Sequence, residues 1–329
     1  MKVVVVDNKP LYGLQIDTIA RICVENGIEF EALTCEDEAD VVAQCQDADA
    51  IMDVYTKLSA ESIQKLPNCK ALLRFGIGYD TFDVEAATAA GKMVCNVPDY
   101  CIEEVAIHTV ALILDLSRKV KLLSDSVESG NWNAYVGYPP HRLSEQTVGF
   151  IGFGNIARKA ADYMKAFGVE ILAYDPYLTE EFIAGQGAKK VELDELLAAS
   201  DIVSLHTPLF DSTYHIINEE SIAKMKDGAL LVNTSRGPLI DQDALVAAVE
   251  SGKIAGAGLD VVEVEPLTDP ESPLFESGRI IVTPHAAYNS VESFADLMEK
   301  IAETACNILN GNLDDKTLRR IVNRKELGL

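Results

Sequence analysis

Short β-branched runs alternate with helical patterns along nearly the whole chain, and this rhythm constrains the fold more than any other feature. Apolar runs such as 2–6 and 50–54 are each followed by a segment whose apolar residues recur at helical spacing. Strands that alternate with helices form parallel sheets, because each helix carries the chain back across a face of the sheet. The sequence therefore predicts an α/β protein built from doubly wound parallel sheets.

The predicted strands fall into two series, in keeping with roughly two domains for a chain of 329 residues. The first series comprises the segments 2–6, 28–33, 50–54, 71–75 and 93–96. A break at Val97-Pro98-Asp99 and a long helix over about 101–116 precede the second series. That series comprises 147–151, 169–174, 201–205, 229–233, 254–259 and 279–282, and a last long helix over about 291–310 and a charged tail follow it.

The segment 117–146 interrupts this rhythm. It contains the only tryptophan, Trp132, together with Tyr135 and Tyr138, and it is too apolar for a free linker. Two interpretations stay open: an arm that contacts a second subunit, or a loop that packs on its own domain.

Composition and charge exclude several classes of function. The formal net charge of −24 repels nucleic acids and anionic membranes, and no stretch approaches the ~20 apolar residues of a transmembrane helix. The first apolar run stops at Asp7 and lacks a cleavage site, which predicts a buried strand and not a signal peptide. The seven cysteines show no CxxC or CxH spacing, so neither disulfides nor a zinc site is predicted and a reducing cytoplasm is favoured.

A glycine-rich motif, Gly152-Phe153-Gly154-Asn155-Ile156-Ala157, lies between a predicted strand and a helix. Gly152 permits the tight turn, Gly154 lets a pyrophosphate approach the backbone, and Ala157 allows close packing of the helix on the strand. The helix N-terminus offers free N–H groups and a positive dipole to the phosphates. Asp175, about 20 residues further on, can accept hydrogen bonds from ribose hydroxyls and repels a 2′-phosphate. The motif predicts NAD as the cofactor, against the alternative of a structural turn with a capping aspartate.

Three ionisable residues follow predicted strands of the second series: Arg236, Glu265 and His285. Ligands bind beyond the carboxyl ends of the strands in an open α/β sheet, so these residues are expected at a site. Oxidation of an alcohol needs a base for the hydroxyl proton, and histidine exchanges protons near neutral pH. A carboxylate beside the histidine favours the imidazolium, and a guanidinium can hold a substrate carboxylate and polarise a carbonyl. The trio predicts hydride transfer at a carbinol carbon.

Each of these residues alone also fits a structural role, with His285 as a capped loop residue and Arg236 and Glu265 as surface charges. Their joint placement after a dinucleotide motif favours catalysis. Glu263 is an acidic neighbour of Glu265 and leaves open which of the two carboxylates would face the histidine.

Five motifs in this order resemble those of the D-isomer-specific 2-hydroxyacid dehydrogenase family, and the resemblance covers nearly the whole chain. They are residues 152–157, 204–208 (Ser-Leu-His-Thr-Pro), 225–237, 257–261 with Glu265-Pro266, and Thr283-Pro284-His285. The resemblance implies NAD-dependent interconversion of a small D-2-hydroxy acid and its 2-oxo acid. It implies that Arg236 binds and polarises the substrate, that Glu265 partners the histidine, and that His285 is the acid/base.

The resemblance also implies the remaining contacts. Asp260 would lie at the nicotinamide carboxamide, and the backbone N–H groups of Gly76, Ile77 and Gly78 would receive the substrate carboxylate. Consecutive N–H groups after a strand suit an anion, although a plain glycine turn is an equally good interpretation. The full set expected at the cofactor is Gly152, Gly154, Asn155, Ile156, Asp175, His206, Thr207, Pro208, Thr234 and Asp260.

For the domains, the resemblance implies a discontinuous substrate-binding domain of residues 1–100 plus 290–329. Residues 101–289 would form an NAD-binding Rossmann domain, with the catalytic site in the cleft between the two and closure excluding water. A homodimer is expected, with the segment around Trp132 as part of its contact.

Within the family, the stretches 96–106 and 284–288 most resemble the branch of the C-terminal-binding-protein corepressors and similar bacterial enzymes of the phosphoglycerate-dehydrogenase type. Two alternatives therefore stay open: an NAD(H)-sensing interaction protein without turnover, and a short-form 3-phosphoglycerate dehydrogenase. Phosphoglycerate-type enzymes typically carry an arginine where this chain has Tyr55, although Lys57 and Arg74 could serve instead. The sequence thus favours an unphosphorylated acid.

Overall fold

The structure is a computed structural model that describes residues 1–9 and 13–329. The chain divides into two compact units, one of residues Met1–Cys101 with Ser290–Leu329 and one of residues Ile102–Asn289. Each unit is built around its own parallel sheet, as the alternating pattern predicts.

The first unit has a five-stranded sheet in the order β2-β1-β3-β4-β5, and every strand pair is parallel. Its strands are β1 (Lys2–Val5), β2 (Glu29–Ala32), β3 (Ala50–Asp53), β4 (Ala71–Arg74) and β5 (Met93–Cys95). Its helices are α1 (Ile16–Glu25), α2 (Glu38–Gln44), α3 (Ala60–Gln64), α4 (Val84–Ala89), α13 (Val291–Leu309) and α14 (Asp315–Arg320). α1 packs against α13, which explains why the last part of the chain belongs to the first unit.

The second unit has a seven-stranded parallel sheet in the order β12-β11-β10-β9-β6-β7-β8. Its strands are β6 (Thr147–Ile151), β7 (Glu170–Tyr174), β8 (Lys189–Lys190), β9 (Ile202–Leu205), β10 (Ala229–Asn233), β11 (Ile254–Leu259) and β12 (Ile280–Val282). Its helices are α5 (Ile102–Arg118), α6 (Val120–Glu128), α7 (Asn155–Lys165), α8 (Glu180–Gly185), α9 (Leu193–Ala199), α10 (Glu219–Lys224), α11 (Gln242–Ser251) and α12 (Pro273–Glu276).

Apolar side chains cover both faces of this second sheet. One cluster includes Leu196, Leu231 and Leu245, and the other includes Ile113 and Phe150. Parallel strands covered on both faces carry almost continuous apolar sequences, which is why the strands of this series could be predicted from their runs. The predicted fold class is confirmed.

Three elements were not predicted. β8 is only two residues long, α6 lies inside the segment expected to be irregular, and α14 lies in the tail expected to carry only charge. In the segment 117–146 the Tyr138 hydroxyl donates to the carbonyl of Leu116 at 2.7 Å, whereas Trp132 and Tyr135 are 89% and 90% exposed. Part of the segment therefore packs on its own unit, and its tip does not.

A buried amide is one of the groups that hold the tail. Asn323 is 2% exposed; its Oδ1 accepts the N–H of Val94 at 2.9 Å, and its Nδ2 donates to the carbonyl of Lys92 at 2.9 Å and to Thr88 Oγ1 at 2.8 Å. The amide thus satisfies backbone groups beside the edge strand β5, which would otherwise be buried without partners.

We expect Asn323→Ala to destabilise the first unit by about 2 kcal/mol, because it leaves buried backbone groups unsatisfied. The exposed Asn312, whose amide reaches only Asn307 Oδ1 at 3.3 Å, provides a matched control, and Asn312→Ala should change stability by less than about 0.5 kcal/mol. Chemical denaturation with a probe in the first unit measures both. Equal midpoints for the two variants would contradict this role.

Candidate active site

The glycine motif forms a tight turn between β6 and α7. Gly152 has φ +82°, and a Cβ atom there would lie 2.7 Å from the His206 carbonyl oxygen, so only glycine fits. Gly154 is the N-cap of α7, offers no side chain to the helix N–H groups, and has open space in front of its Cα atom. The free N–H groups of α7 therefore face a space that can receive a phosphate.

Asp175 closes the same turn from the next strand. Its Oδ2 accepts the N–H of Phe153 at 3.0 Å and its Oδ1 accepts the N–H of Tyr177 at 2.9 Å. Each carboxylate oxygen can accept a second hydrogen bond, and the residue is only half-buried, so ribose hydroxyls can still reach it. The glycine turn and Asp175 together fit an adenine dinucleotide with an unphosphorylated ribose.

His206 borders this turn through its backbone. Its carbonyl faces Gly152, while its imidazole Nε2 lies 2.9 Å from Ser204 Oγ and its ring packs on Phe150 with centroids 5.4 Å apart. Burial of the ring lowers the pKa of His206 to about 3, so the imidazole is neutral near pH 7. Thr234, also expected at the cofactor, has its hydroxyl 2.9 Å from that of Thr109.

The imidazole of His285 is hydrogen-bonded to Glu265. The distance from His285 Nδ1 to Glu265 Oε2 is 2.8 Å, and the two side chains are 24% and 32% exposed. Glu265 Oε1 accepts the N–H of Val262 at 3.1 Å. This contact orients the carboxylate and leaves His285 Nε2 for a second partner.

Burial raises the pKa of Glu265. The hydrogen bond from His285, the charge of His285, the Val262 N–H and the charge of Arg236 together outweigh burial, and the pKa lies below its usual value. Since the pKa of Glu265 is lower in the folded than in the unfolded protein, the ionised carboxylate stabilises the folded state at pH values above the pKa of the unfolded chain. That contribution is lost as the pH falls through the folded value. Glu265 is therefore an anion beside the histidine at neutral pH.

Asp260 fixes the loop that carries His285. Its side chain is buried, with 1% exposed. The Oδ1 atom accepts hydrogen bonds from the N–H of Ala286 at 2.9 Å and from the hydroxyl of Thr283 at 2.5 Å. The Oδ2 atom accepts the N–H of Ala287 at 2.8 Å. The Asp260 carbonyl accepts the N–H of His285 at 2.7 Å. These bonds hold His285 at φ +51°, a left-handed conformation that non-glycine residues rarely adopt.

Arg236 lies three residues after the end of β10, in a turn closed by two local hydrogen bonds. Asn233 Nδ2 donates to the Arg236 carbonyl at 2.8 Å, and Arg236 Nη1 donates to the carbonyl of Ser235 at 2.8 Å. The next residue, Gly237, passes so close to the loop after β11 that a Cβ there would lie 1.8 Å from the Val262 carbonyl oxygen. The charge of Arg236 is among the effects that lower the pKa of Glu265.

Glu263 has a different histidine partner. Its Oε1 lies 2.7 Å from Nε2 of His215, whose ring stacks on Tyr214 with centroids 4.0 Å apart. The N–H of His215 donates to the carbonyl of Pro238 at 2.9 Å. The two carboxylates that the sequence could not tell apart thus have separate roles: Glu265 contacts His285, and Glu263 ties its loop to the segment after Arg236.

The glycine loop of the first unit follows β4. Gly76 has φ +145°, and its N–H already donates to the carbonyl of Arg74 at 2.9 Å. The carbonyls of Gly76 and Ile77 accept hydrogen bonds from the Val97 N–H and from Asn96 Nδ2, respectively. Within the described residues, the N–H groups of Ile77 and Gly78 make no hydrogen bond, so an anion at this loop would bind to these two.

Three contacts could not be predicted from the sequence. They are the anchoring of the loop by Asp260, the pairing of His215 with Glu263, and the contact of His108 Nε2 with Thr283 Oγ1 at 3.0 Å. Asp260 was placed only through the resemblance. No local signal predicts these contacts, since they join residues that are distant in the sequence. A positive φ at His285 likewise has no sequence signature.

Comparison with known proteins agrees with this geometry. Residues 110–287 match the family model for the D-isomer specific 2-hydroxyacid dehydrogenase, NAD binding domain. The hydroxypyruvate reductase of Blautia hydrogenotrophica is 35% identical over 317 residues, which are 95% of this chain and 98% of that protein. The glyoxylate reductase of Korarchaeum cryptofilum is 37% identical over 86% of this chain and 88% of its own length.

The D-3-phosphoglycerate dehydrogenase of Archaeoglobus fulgidus is 35% identical over 94% of this chain, which spans 58% of that protein. Among solved structures, the D-lactate dehydrogenase of Aquifex aeolicus complexed with NAD and lactic acid matches with a TM-score of 0.86 and 30% identity, over 98% of this chain and 99% of that one. In the described part of the chain, no helix combines the length and apolar character needed to cross a bilayer. The family model, the relatives and the glycine turn lead to one assignment: the chain belongs to the D-isomer-specific 2-hydroxyacid dehydrogenase family and is an NAD-dependent enzyme.

Proposed function

We propose that the enzyme interconverts a small D-2-hydroxy acid and its 2-oxo acid, with His285 as acid/base, Glu265 as its partner and Arg236 as the substrate-binding cation. The observation that carries the proposal is the 2.8 Å hydrogen bond between His285 Nδ1 and Glu265 Oε2, with the charge of Arg236 close by. The names of two relatives, hydroxypyruvate reductase and glyoxylate reductase, support a small 2-oxo acid as substrate.

The proton is handled by the His285–Glu265 pair. NADH, held by the glycine turn 152–157 and Asp175, would supply the hydride that reduces the carbonyl carbon of the 2-oxo acid. His285 donates the matching proton from Nε2 to the carbonyl oxygen, because Nδ1 is held by Glu265. The Glu265 carboxylate stabilises the imidazolium before the transfer and fixes the ring orientation throughout. In the reverse direction the neutral imidazole takes the hydroxyl proton.

Arg236 and the first glycine loop would bind the substrate. A guanidinium can hold the carboxylate through two parallel hydrogen bonds and stabilise the negative charge that develops on the carbonyl oxygen. The proposal assigns the substrate carboxylate also to the N–H groups of Ile77 and Gly78 rather than to Gly76, whose N–H is already used. Asp260 is assigned to the nicotinamide carboxamide, and His206, Thr207, Pro208 and Thr234 to the cofactor.

We also propose a cytoplasmic homodimer. The exposed Trp132 and Tyr135 give the tip of the segment 117–146 an aromatic surface suited to a subunit contact. None of the seven cysteines, all of which lie in the described residues, forms a disulfide, as in proteins of a reducing compartment. Sedimentation equilibrium tests the assembly, and a monomer at micromolar concentration would contradict it.

The first test is turnover. NADH consumption is measured with pyruvate, glyoxylate, hydroxypyruvate, 2-oxoisocaproate, phenylpyruvate and 3-phosphohydroxypyruvate, and at least one should react. NADH binding without any turnover would contradict the proposal and favour an NADH-sensing interaction protein.

His285→Ala should lower kcat by roughly 100-fold or more, because the proton then has no positioned donor. The Kd for NADH should stay within about twofold of the wild-type value, since the imidazole is assigned to the substrate. Single-turnover kinetics and NADH fluorescence titration measure the two quantities. Loss of NADH binding would show that the residue has a structural role.

Glu265→Gln should lower kcat for reduction by about tenfold or more, because the imidazolium loses its anionic partner and the ring its orientation. Glu263→Gln is the matched control: it removes the same charge from the same loop but faces His215. The steady-state kcat of both variants is measured with the same 2-oxo acid. An equal or larger loss of kcat in the Glu263 variant would contradict the assignment of Glu265.

Asp175→Ala should weaken NADH binding by about tenfold, because no carboxylate is left to accept the ribose hydroxyls. It should also reduce the preference for NADH over NADPH, because no carboxylate is left to repel a 2′-phosphate. The ratio of kcat/KM for NADH and NADPH measures the preference. An unchanged ratio would remove Asp175 from this role.

A further inference from the structure

Arg158 lies in the first part of α7, the helix that begins at the glycine turn, and the proposed mechanism does not use it. Its Nη2 donates to Oδ1 of Asn155, the first residue of the helix. Long side chains on a helix lean toward its N-terminus, so this contact carries the guanidinium back over the start of α7. Arg158 is therefore a cation at the end of the helix that would receive the phosphates of the cofactor.

This position is unfavourable for a cation unless an anion joins it. The N-terminus of a helix carries a partial positive charge, so a guanidinium beside it opposes the helix dipole. The chain has 52 acidic and 28 basic residues, yet within the described residues Arg158 forms no ion pair with an acid. Its positive charge is thus uncompensated in an acidic protein, which suits a residue that serves an anionic ligand.

The ring of Phe182 holds the guanidinium in place. The guanidinium carbon of Arg158 lies 5.1 Å from the centroid of this ring, within the range of a cation–π contact. Phe182 is in the first turn of α8, where its N–H donates to Oγ1 of the N-cap Thr179 at 3.2 Å. A ring restrains a cation without neutralising it, whereas a carboxylate would do both. Arg158 is therefore fixed and keeps its charge.

The bond from Arg158 also decides which end of the Asn155 amide faces a ligand. A guanidinium can only donate, so Oδ1 is the atom that faces Arg158 and Nδ2 is directed away from it. In the described part of the chain, Asn155 Nδ2 makes no hydrogen bond, and neither do the backbone N–H groups of residues 154–156. The start of α7 thus offers a side-chain donor beside a row of backbone donors. Without Arg158 the amide could turn and present its oxygen, which repels a phosphate.

A pyrophosphate fits this place better than the 2′-phosphate of NADP. A 2′-phosphate would lie on the adenosine ribose, beside the carboxylate of Asp175, which repels it. Asn155 belongs to the helix start, where the N–H groups of a dinucleotide-binding helix meet the pyrophosphate.

We propose that Arg158, held by the Phe182 ring, orients the Asn155 amide so that Nδ2 donates to the pyrophosphate of NAD(H). Arg158 and Phe182 are positioning residues, and Asn155 makes the contact. The uncompensated charge of Arg158 also attracts the pyrophosphate and offsets part of the repulsion from the acidic surface.

The test compares Arg158→Ala with Lys159→Ala. Lys159 is the matched control, because it is the next residue of the same helix and has its Nζ 5.1 Å from the centroid of the Tyr163 ring. At low ionic strength, the Kd for NADH should rise about fivefold or more in Arg158→Ala and less than about twofold in Lys159→Ala. The difference between wild type and Arg158→Ala should shrink at high salt, which screens the charge. Fluorescence titration measures these constants, and equal changes in the two variants would overturn the proposal.

A double-mutant cycle tests whether Arg158 acts through Asn155. Asn155→Ala should weaken NADH binding, and Arg158→Ala should have a clearly smaller effect in that variant, because the amide that it orients is absent. A loss in the double variant equal to the product of the two single losses would overturn the proposal.

Phe182→Leu tests the role of the ring. It should raise the Kd for NADH in the same direction as Arg158→Ala, because leucine fills much of the space but has no π face. An unchanged Kd would overturn the assignment of Phe182.

Thermal unfolding without cofactor separates binding from folding. The Tm of Arg158→Ala should equal or exceed that of the wild type, because alanine favours the helix and no cation opposes the dipole. A lowered Tm with an unchanged Kd for NADH would make Arg158 a structural residue and overturn the proposal. A larger loss of affinity for NADPH than for NADH in this variant would also overturn it, since the cation would then serve the 2′-phosphate.

Discussion

Aspartates that accept backbone N–H groups where parallel strands end hold the loop of His285, the cofactor turn and a turn of the first unit. Asp260 binds the backbone around His285, Asp175 binds the backbone of the cofactor turn, and Asp7 binds three consecutive N–H groups of the turn that carries Tyr55. The chain that leaves a parallel strand has lost its ladder partners, so its N–H groups need acceptors. A carboxylate meets that need with strong, charge-assisted hydrogen bonds. The same groups that satisfy the backbone therefore fix the geometry of the sites.

The loop after β11 shows how such fixing separates two chemically identical groups. Glu263 and Glu265 are two residues apart, yet one contacts His215 and the other His285. The close approach of Gly237 to the Val262 carbonyl brings this loop against the segment after Arg236, where any larger residue would force them apart. The Glu263–His215 and Glu265–His285 contacts both lie on this short loop. Together they leave the loop little freedom to change register. The position of Glu265 is thus determined by neighbours that take no part in the chemistry.

The sequence was sufficient for the fold class and for the residues that lie in motifs. β6, β10 and β11 have the predicted bounds because buried parallel strands are continuously apolar, and the glycine turn is local in sequence. α6 and α14 were missed because helices of nine and six residues have too few turns to show a clear helical period. The hydrogen bonds of Asp7 to the turn 54–56 could not be predicted, since they join segments far apart in the chain. Whether Glu263 or Glu265 faces His285 was likewise decided by tertiary contacts.

A net charge of −24 poses a problem for an enzyme whose substrate is an anion. Positive groups at the assigned sites offset this charge locally. They are the backbone N–H groups of Ile77, of Gly78 and of the start of α7, together with Arg236. Backbone N–H groups are fixed in place and cannot form ion pairs with the surrounding carboxylates. Exposed lysines do form such pairs, as Lys65 does with Glu61. An acidic surface is thereby compatible with anion binding, provided that the binding groups are backbone N–H groups and held guanidinium groups.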